Sequence, residues 1–361
     1  MSNQDSGKPG ARSRWSATAP GYAPPGGAAA DPARERLMRL AREAGGHLDR
    51  ARADLASEPV AELLRALPQD PLVQHLVRQR EVVAFEWPLP RSAFAIAPRI
   101  APPPEAIDLV AFHVDMPSAP SGIHGAIDYT AVLALSFESA RLRAPRARRI
   151  LLTDEATRVP ESMAVDRVLR FPIDPARLMY ERMRVQSRYL EAREGGRASV
   201  LMDSDVVVNR DPAPIFAEAF DVGLTWRPGF ADAPFNGGMI FVSEGTQGCA
   251  FFRAALACYD ALAAHAPLQS AFPRDLRAWW GDQFALAATV GLRAYREHSG
   301  EGLRVDGTAV RFFPCETHNF TLEPARRHSA AELRSKHFVH FKGNRKALQA
   351  QYLDAMRKGG L

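Results

Sequence analysis

The chain has 361 residues, 46% of them hydrophobic and 19 of them Phe, enough for one large core or two plus tails. Its formal charge of +5 comes almost wholly from Arg, with Lys at five positions and no RNP-like or zinc-finger pattern, which argues against a nucleic-acid partner. Cys249, Cys258 and Cys315 lack the count and spacing of disulfides or a zinc site, no apolar core of a signal peptide opens the chain, and no run of 18 apolar residues spans a bilayer, so a cytoplasmic protein without an integral membrane segment is expected.

Residues 1–30 are rich in Gly, Pro, Ser and Ala and read as a disordered tail. Asp31-Pro32 is a helix start signal, and Gly45-Gly46 is expected to end that helix near Ala44. Ser57-Glu58-Pro59 and Asp70-Pro71 repeat the signal before apolar Leu and Val positions. Prolines between 87 and 104 are too dense for regular structure. Residues 31–104 therefore form a helical extension and a Pro-rich connector, free to pack on a core, mediate an oligomer or recruit a partner.

From 105 the pattern changes. Strands are predicted at 107–114, 149–153, 165–171 and 199–202, with helices at 129–142 and 176–194 between them. Alternation of this kind implies an α/β fold of βαβ units with a mostly parallel sheet flanked by helices. The runs 222–226 and 238–242, with no long helix between, suggest antiparallel additions to a mixed sheet.

The apolar run 198–202 delivers Asp203 and Asp205. Residues two apart on an extended backbone share a side, so both carboxylates are expected at the C-terminal end of a buried strand, the edge where open α/β sheets gather ligands. Two hard oxygen donors there suit Mn²⁺ or Mg²⁺ shared with substrate phosphates. Phe235-Asn236-Gly237-Gly238 precedes a strand; it is either a plain Asn-Gly turn or a place where backbone must approach a ligand closely. Gly281-Asp282-Gln283 opens the apolar run 284–290, as a helix N-cap or as a carboxylate and an amide facing a ligand, with Trp279-Trp280 adding stacking surface. Four of the five Lys lie in the last 26 residues, around His340-Phe341-Lys342-Gly343-Asn344-Arg345-Lys346. A neutral imidazole there can ligate a metal, and a lysine can neutralise a diphosphate.

Apolar strand–Asp-x-Asp, Phe-Asn-Gly-Gly, Gly-Asp-Gln and His-x-x-Gly-x-x-Lys, in that order, resemble the nucleotide-sugar glycosyltransferases of the GT-A (Rossmann-like) fold. The pattern is most similar to the retaining, glycogenin- and galactosyltransferase-like family 8, over residues 106–346. The resemblance implies a glycosyltransferase domain at 105–346, followed by a helical tail at 347–361. It implies Mn²⁺ or Mg²⁺ on Asp203, Asp205 and His340, and a nucleoside-diphosphate sugar (a UDP-sugar by analogy) held by Lys346, with Lys342 and Gly343 beside it. It places Asn236, Gly237 and Gly238 against the sugar or the hydroxyl acceptor, and Asp282 and Gln283 on the sugar's reacting face. Ser204 and Asp115 join them as donor contacts. Arg184 and Arg188 share a helix face four residues apart and are offered as further donor contacts, although solvent is the expectation for at least one.

Two departures stand out. Ala347-Leu348 replaces the family's usual Pro-Trp after the lysine, and the first strand lacks a clear aspartate–tyrosine pair for the nucleobase, Asp115 and Tyr129 being candidates too far apart to match well. Retention, inversion on the same fold, another metal-dependent nucleotide enzyme and a non-catalytic scaffold all stay open at this stage. No P-loop or G-x-G-x-x-G favours the nucleotide enzyme.

Overall fold

The computed structural model describes residues 32–50, 52–85, 92–116, 127–227, 234–271, 281–292, 294–295, 302–323 and 326–360. The expected disordered tail, the Trp279-Trp280 pair and Asp31 lie outside them. Helices up to Phe85 form one compact unit, and residues 92–227 and 235–360 form a second.

The first unit holds α1 (Pro32–Asp49), α2 (Ala53–Ala66) and α3 (Pro71–Ala84). Ala44, Leu48, Ala56, Val60, Leu63, Val73 and Leu76 share one apolar cluster. Two start-and-stop expectations fail here. Gly45-Gly46 does not end α1, because Ala44 and Leu48 both pack in that cluster and burial outweighs the glycine penalty of about 1 kcal/mol per residue. Pro59 lies inside α2 rather than opening it, with neighbouring Val60 and Leu63 buried in the same cluster. Asp70 behaves as read: its side chain accepts from the Leu72 and Val73 amides at the start of α3.

The second unit is built on a nine-stranded mixed sheet in the order β1-β9-β10-β7-β8-β5-β2-β3-β4. Its strands are β1 (Ala93–Ala95), β2 (Ala106–Phe112), β3 (Arg148–Thr153), β4 (Arg167–Arg170), β5 (Arg197–Met202), β7 (Val222–Trp226), β8 (Phe235–Val242), β9 (Gly302–Val305) and β10 (Thr308–Pro314). Strands β5, β2, β3 and β4 are mutually parallel, as alternating helices require. Strand β8 runs antiparallel to both β5 and β7, the expected addition. β1 corrects the Pro-rich reading. The proline-free segment around Ala93–Ala95 is long enough to pair antiparallel with β9 at the sheet edge.

Helices α4 (Tyr129–Arg143) and α5 (Leu178–Ala192) connect the parallel strands. The Asp128 carboxylate caps α4 by accepting the Ala131 amide at 3.0 Å. A 3₁₀ turn, Pro175–Arg177, precedes α5, so the regular helix starts two residues later than its apolar period suggests. Further helices are α6 (Gln247–Ala264), α7 (Ala266–Ala271) and α8 (Gly281–Val290).

A second, three-stranded sheet pairs β6 (Val206–Val208), β12 (Phe338–His340) and β11 (Phe320–Thr321), β12 in the middle. Helix α9 (Cys315–His318) precedes β11, α10 (Ala330–Arg334) precedes β12, and α11 (Gln349–Arg357) closes the described chain. Tyr352, Leu353 and Met356 of α11 pack with Val207 and Phe341 against this small sheet. Gln349 donates to the Val132 carbonyl at 3.1 Å, which ties α11 to α4. All three cysteines are free, and among the described residues no helix is long and apolar enough to cross a membrane.

Candidate active site

The two aspartates do not stand on an extended strand. β5 stops at Met202 and β6 starts at Val206, and Asp203-Ser204-Asp205 makes the turn between them. Three backbone contacts hold that turn. The Asp203 amide donates to the Gly238 carbonyl at 2.9 Å, the Ser136 hydroxyl to the Ser204 carbonyl at 2.7 Å, and the Phe341 amide to the Asp205 carbonyl at 2.9 Å. The turn brings the carboxylates together, where alternation along a strand was expected to do so.

His340 arrives through strand pairing. In the antiparallel β6–β12 ladder it sits opposite Val206, one residue past Asp205. Its Nε2 lies 3.0 Å from Asp205 Oδ1 and 3.5 Å from Asp203 Oδ2. One ligand atom from each of the three residues falls within 4.8 Å of the others. Each carboxylate turns one oxygen to the imidazole and the other to a cation. Asp203 Oδ1 meets Arg182 Nη1, and Asp205 Oδ2 meets Lys346 Nζ at 2.6 Å. Burial opposes ionisation of Asp205, yet His340 and Lys346 together hold its carboxyl well below the usual range. Lys346 also lies 5.5 Å over the Tyr129 ring, within cation–π reach.

The Phe-Asn-Gly-Gly motif lies within β8, all of it buried, rather than in a turn. A Cβ on Gly238 would come within 2.5 Å of His340 Cε1 and 2.6 Å of Asp203 Oδ2. On Gly237 it would collide with Asp282 Oδ2 and come within 2.6 Å of Arg182 Nη2. The glycines are therefore the space through which the carboxylates, imidazole and guanidinium approach the sheet. Asn236 is 6% exposed, and its Oδ1 accepts from the Gly238 amide at 2.9 Å and from Asn319 Nδ2 at 3.0 Å.

Asp282 sits in the first turn of α8 and is almost fully buried. Its Oδ2 pairs with Arg182 Nη2, while Oδ1 is buried with no hydrogen-bond partner among the described residues. Burial pushes its carboxyl above the usual range, with Arg182 pulling the other way and Asp203 adding to the rise. Next to it, Gln283 Oε1 accepts from Arg227 Nη2 at 2.8 Å.

The arginine reading needs correction. Arg184 donates to the Pro172 carbonyl at 2.5 Å and pairs with Glu181, while Arg188 is exposed. The guanidinium that reaches the site is that of Arg182, buried and bridging Asp203 to Asp282. Residues 182 and 184 are two apart on one helix and point to different sides, so choosing the 184/188 face excluded it. Asp115 is tied locally: its Oδ1 lies 3.1 Å from His113 Nε2 and its Oδ2 accepts the Arg158 amide at 3.0 Å. Ser204 contributes its backbone to the turn. Lys342 follows β12, and burial pushes its ammonium below the usual range. Gly343 takes φ +60, a left-handed turn that carries the chain on toward Lys346. Asn319, 1% exposed, escaped the sequence reading altogether; its Oδ1 lies 2.8 Å from His340 Nδ1.

The donor set fits a divalent cation. Two carboxylate oxygens and an imidazole nitrogen converge, with no thiolate among them.

No protein-family profile matches the sequence, and no curated protein aligns with it. Solved structures do align. A galactosyltransferase LgtC, in complex with donor and acceptor sugar analogs, shares 13% identity over 70% of this chain and 95% of its own, with a TM-score of 0.41. A glycosyltransferase involved in glycosylation of the major capsid of PBCV-1 gives 14%, 68%, 99% and 0.40 for the same four quantities. The apo-form glycosyltransferase GlyE of Streptococcus pneumoniae TIGR4 gives 11%, 71%, 64% and 0.41. The chain is similar to these glycosyltransferases at a distance, and likeness at that level is silent on chemistry; the side chains are not.

Proposed function

We propose that the protein is a metal-dependent glycosyltransferase that moves a sugar from a nucleoside-diphosphate sugar, a UDP-sugar by family resemblance, to a hydroxyl acceptor with retention of configuration. One observation carries the reading: Asp203 Oδ2, Asp205 Oδ1 and His340 Nε2 meet beside the Lys346 ammonium and a buried Arg–Asp pair. Two carboxylates gathered on one imidazole, in side chains 3–28% exposed, favour a cation-binding site over a scaffold without a ligand.

Asp203, Asp205 and His340 would hold Mn²⁺ or Mg²⁺, which when bound neutralises charge on the diphosphate. Lys346 adds a second positive charge for the same leaving group, in a sheltered place where it counts for more than in water. The unpartnered Asp282 Oδ1 is available to accept a sugar hydroxyl, and Arg182 holds the other oxygen so that the carboxylate cannot swing away. With Oε1 already accepting from Arg227, Gln283 is a poor nucleophile and is better suited to orient the ring. This favours a front-face course. The C1–O bond breaks, its electron pair leaves with the diphosphate, and the acceptor oxygen bonds C1 on the same face while its proton passes to a leaving-group phosphate oxygen. The transition state is oxocarbenium-like.

The test is a donor-hydrolysis screen with purified protein, Mn²⁺ and a panel of nucleotide sugars, repeated in EDTA. Turnover of at least one donor, abolished by the chelator, is expected, with the product anomer assigned by NMR. No turnover and no thermal shift with any nucleotide and Mn²⁺ would remove the enzymatic reading. A site bound at 100 times its Kd should add about 2.7 kcal/mol of stability.

A further inference from the structure

We infer that Asn319 is a positioning residue that fixes the tautomer and ring orientation of His340, so that Nε2 faces the two aspartates. The Gly238 amide is a donor, so the Asn236 atom 2.9 Å from it is its oxygen. An amide oxygen only accepts, so the Asn319 atom 3.0 Å from it is the nitrogen. The same NH₂ lies 3.2 Å from Thr225 Oγ1, which donates its own proton to a backbone carbonyl 3.0 Å away, that of Asn236 or of Met239. Asn319's remaining atom is then its oxygen, and it lies 2.8 Å from His340 Nδ1. That nitrogen must carry the hydrogen.

Polarity is thus relayed from one backbone amide through two carboxamides to an imidazole. With Nδ1 committed to Asn319, Nε2 is the nitrogen turned to the aspartates, 3.0 and 3.5 Å from their oxygens: carrying a hydrogen it donates to Asp205 Oδ1, and without one it offers its lone pair to a metal. Asn319 reaches this place because β11 begins one residue later and runs parallel to β12, with Thr321 opposite His340. Asn319, Asn236 and His340 are each 6% exposed or less, so water does not compete for these bonds. An outer partner of this kind sharpens a histidine as a ligand. The consequence for metal binding rests on the proposed function; the orientation of the ring does not.

The experiment compares wild type, Asn319→Ala and Asn319→Asp. ¹⁵N-histidine NMR of the metal-free proteins reads the His340 nitrogens, assigned by loss of signal in His340→Gln. Titration with Mn²⁺ alone, followed by electron paramagnetic resonance, reads affinity, and thermal melts establish folding. In wild type, Nδ1 should carry a slowly exchanging hydrogen, whether or not Nε2 is also protonated. Asn319→Ala should lose that protection and weaken Mn²⁺ binding about 10- to 100-fold. Asn319→Asp keeps an acceptor toward Nδ1 but turns an oxygen on Asn236 Oδ1, so it should melt lower while binding Mn²⁺ within about threefold of wild type. A purely structural residue would make affinity follow melting temperature across all three proteins, and that result overturns the inference. So does a wild-type His340 protonated on Nε2 alone. If wild type binds no Mn²⁺ but shows the protected Nδ1 hydrogen, the metal site falls and the role of Asn319 stands.

Discussion

Replacing Gly238 by Ala places one methyl group inside the carboxylate–imidazole cluster. The backbone accepts alanine, since Gly238 is not among the residues with positive φ. Its Cβ would stand 2.5 Å from His340 Cε1 and 2.6 Å from Asp203 Oδ2. Carbon contacts are comfortable at about 3.5–4.0 Å, so the imidazole must retreat by about 1 Å. Neither neighbour gives easily: His340 is held at Nδ1 by Asn319, and Asp203 is held by Arg182. Overpacking of this size costs about 1–3 kcal/mol, offset by about 0.4–1 kcal/mol from a stiffer unfolded chain, a net loss of about 1–2 kcal/mol. The larger effect falls on metal affinity. A ligand displaced by 1 Å should weaken Mn²⁺ about 10- to 100-fold, which is about 1.4–2.7 kcal/mol. Paramagnetic resonance titration with Mn²⁺ measures it, with Gly245→Ala as control because the nearest atom to that Cβ, Asp221 Oδ1, is 4.0 Å away. Mn²⁺ affinity within twofold of wild type in a folded Gly238→Ala protein would refute the view that these ligand atoms gather on one cation.

Lys346→Ala should weaken binding of a nucleoside diphosphate while leaving nucleoside binding nearly unchanged by calorimetry; equal losses would show that Lys346 does not read the phosphates. Arg182→Met strands two carboxylates, Asp203 and Asp282, and breaking a buried pair of this kind costs about 3–5 kcal/mol, so urea unfolding should move to much lower denaturant. Unchanged unfolding would show that Arg182 does not hold the site together. His318 and His337 stack with ring centroids 4.9 Å apart, and both are pushed down to about 4, chiefly by burial and then by a neighbouring positive charge. The unfolded chain takes up protons first as pH falls below 6.5, so stability should drop as pH falls from 6.5 to about 4. His337→Gln should flatten that limb, and a wild-type stability curve level from pH 7 to 4.5 would contradict the depressed titration of these rings.

How much of the site could be read in advance depended on the reach of each signal. Period-two and period-3.6 patterns report which face of one element is buried, so β5, α4, β7 and the α8 apolar run were visible within a few residues. Short motifs reported the chemistry of Asp203, Asp205, Asn236, Asp282, His340 and Lys346 as residue types, and only their order, through the family resemblance, implied that the two aspartates and the histidine meet on one ion. Start and stop signals failed where tertiary burial was stronger than the local preference, at Gly45-Gly46 and at Pro59.

Composition, cysteine spacing and the alternation of elements were enough by themselves to determine an α/β chain with acidic residues at the end of an inner strand, because those properties are local and additive along the chain. Only the tertiary structure decided that a three-stranded sheet brings His340 beside Asp205, that Arg182 rather than Arg184 turns inward, and that Asn319 lies behind the imidazole. Such choices depend on strand register and on which helix face meets the sheet. Both are set by the burial of many side chains at once, and no segment read alone contains that information.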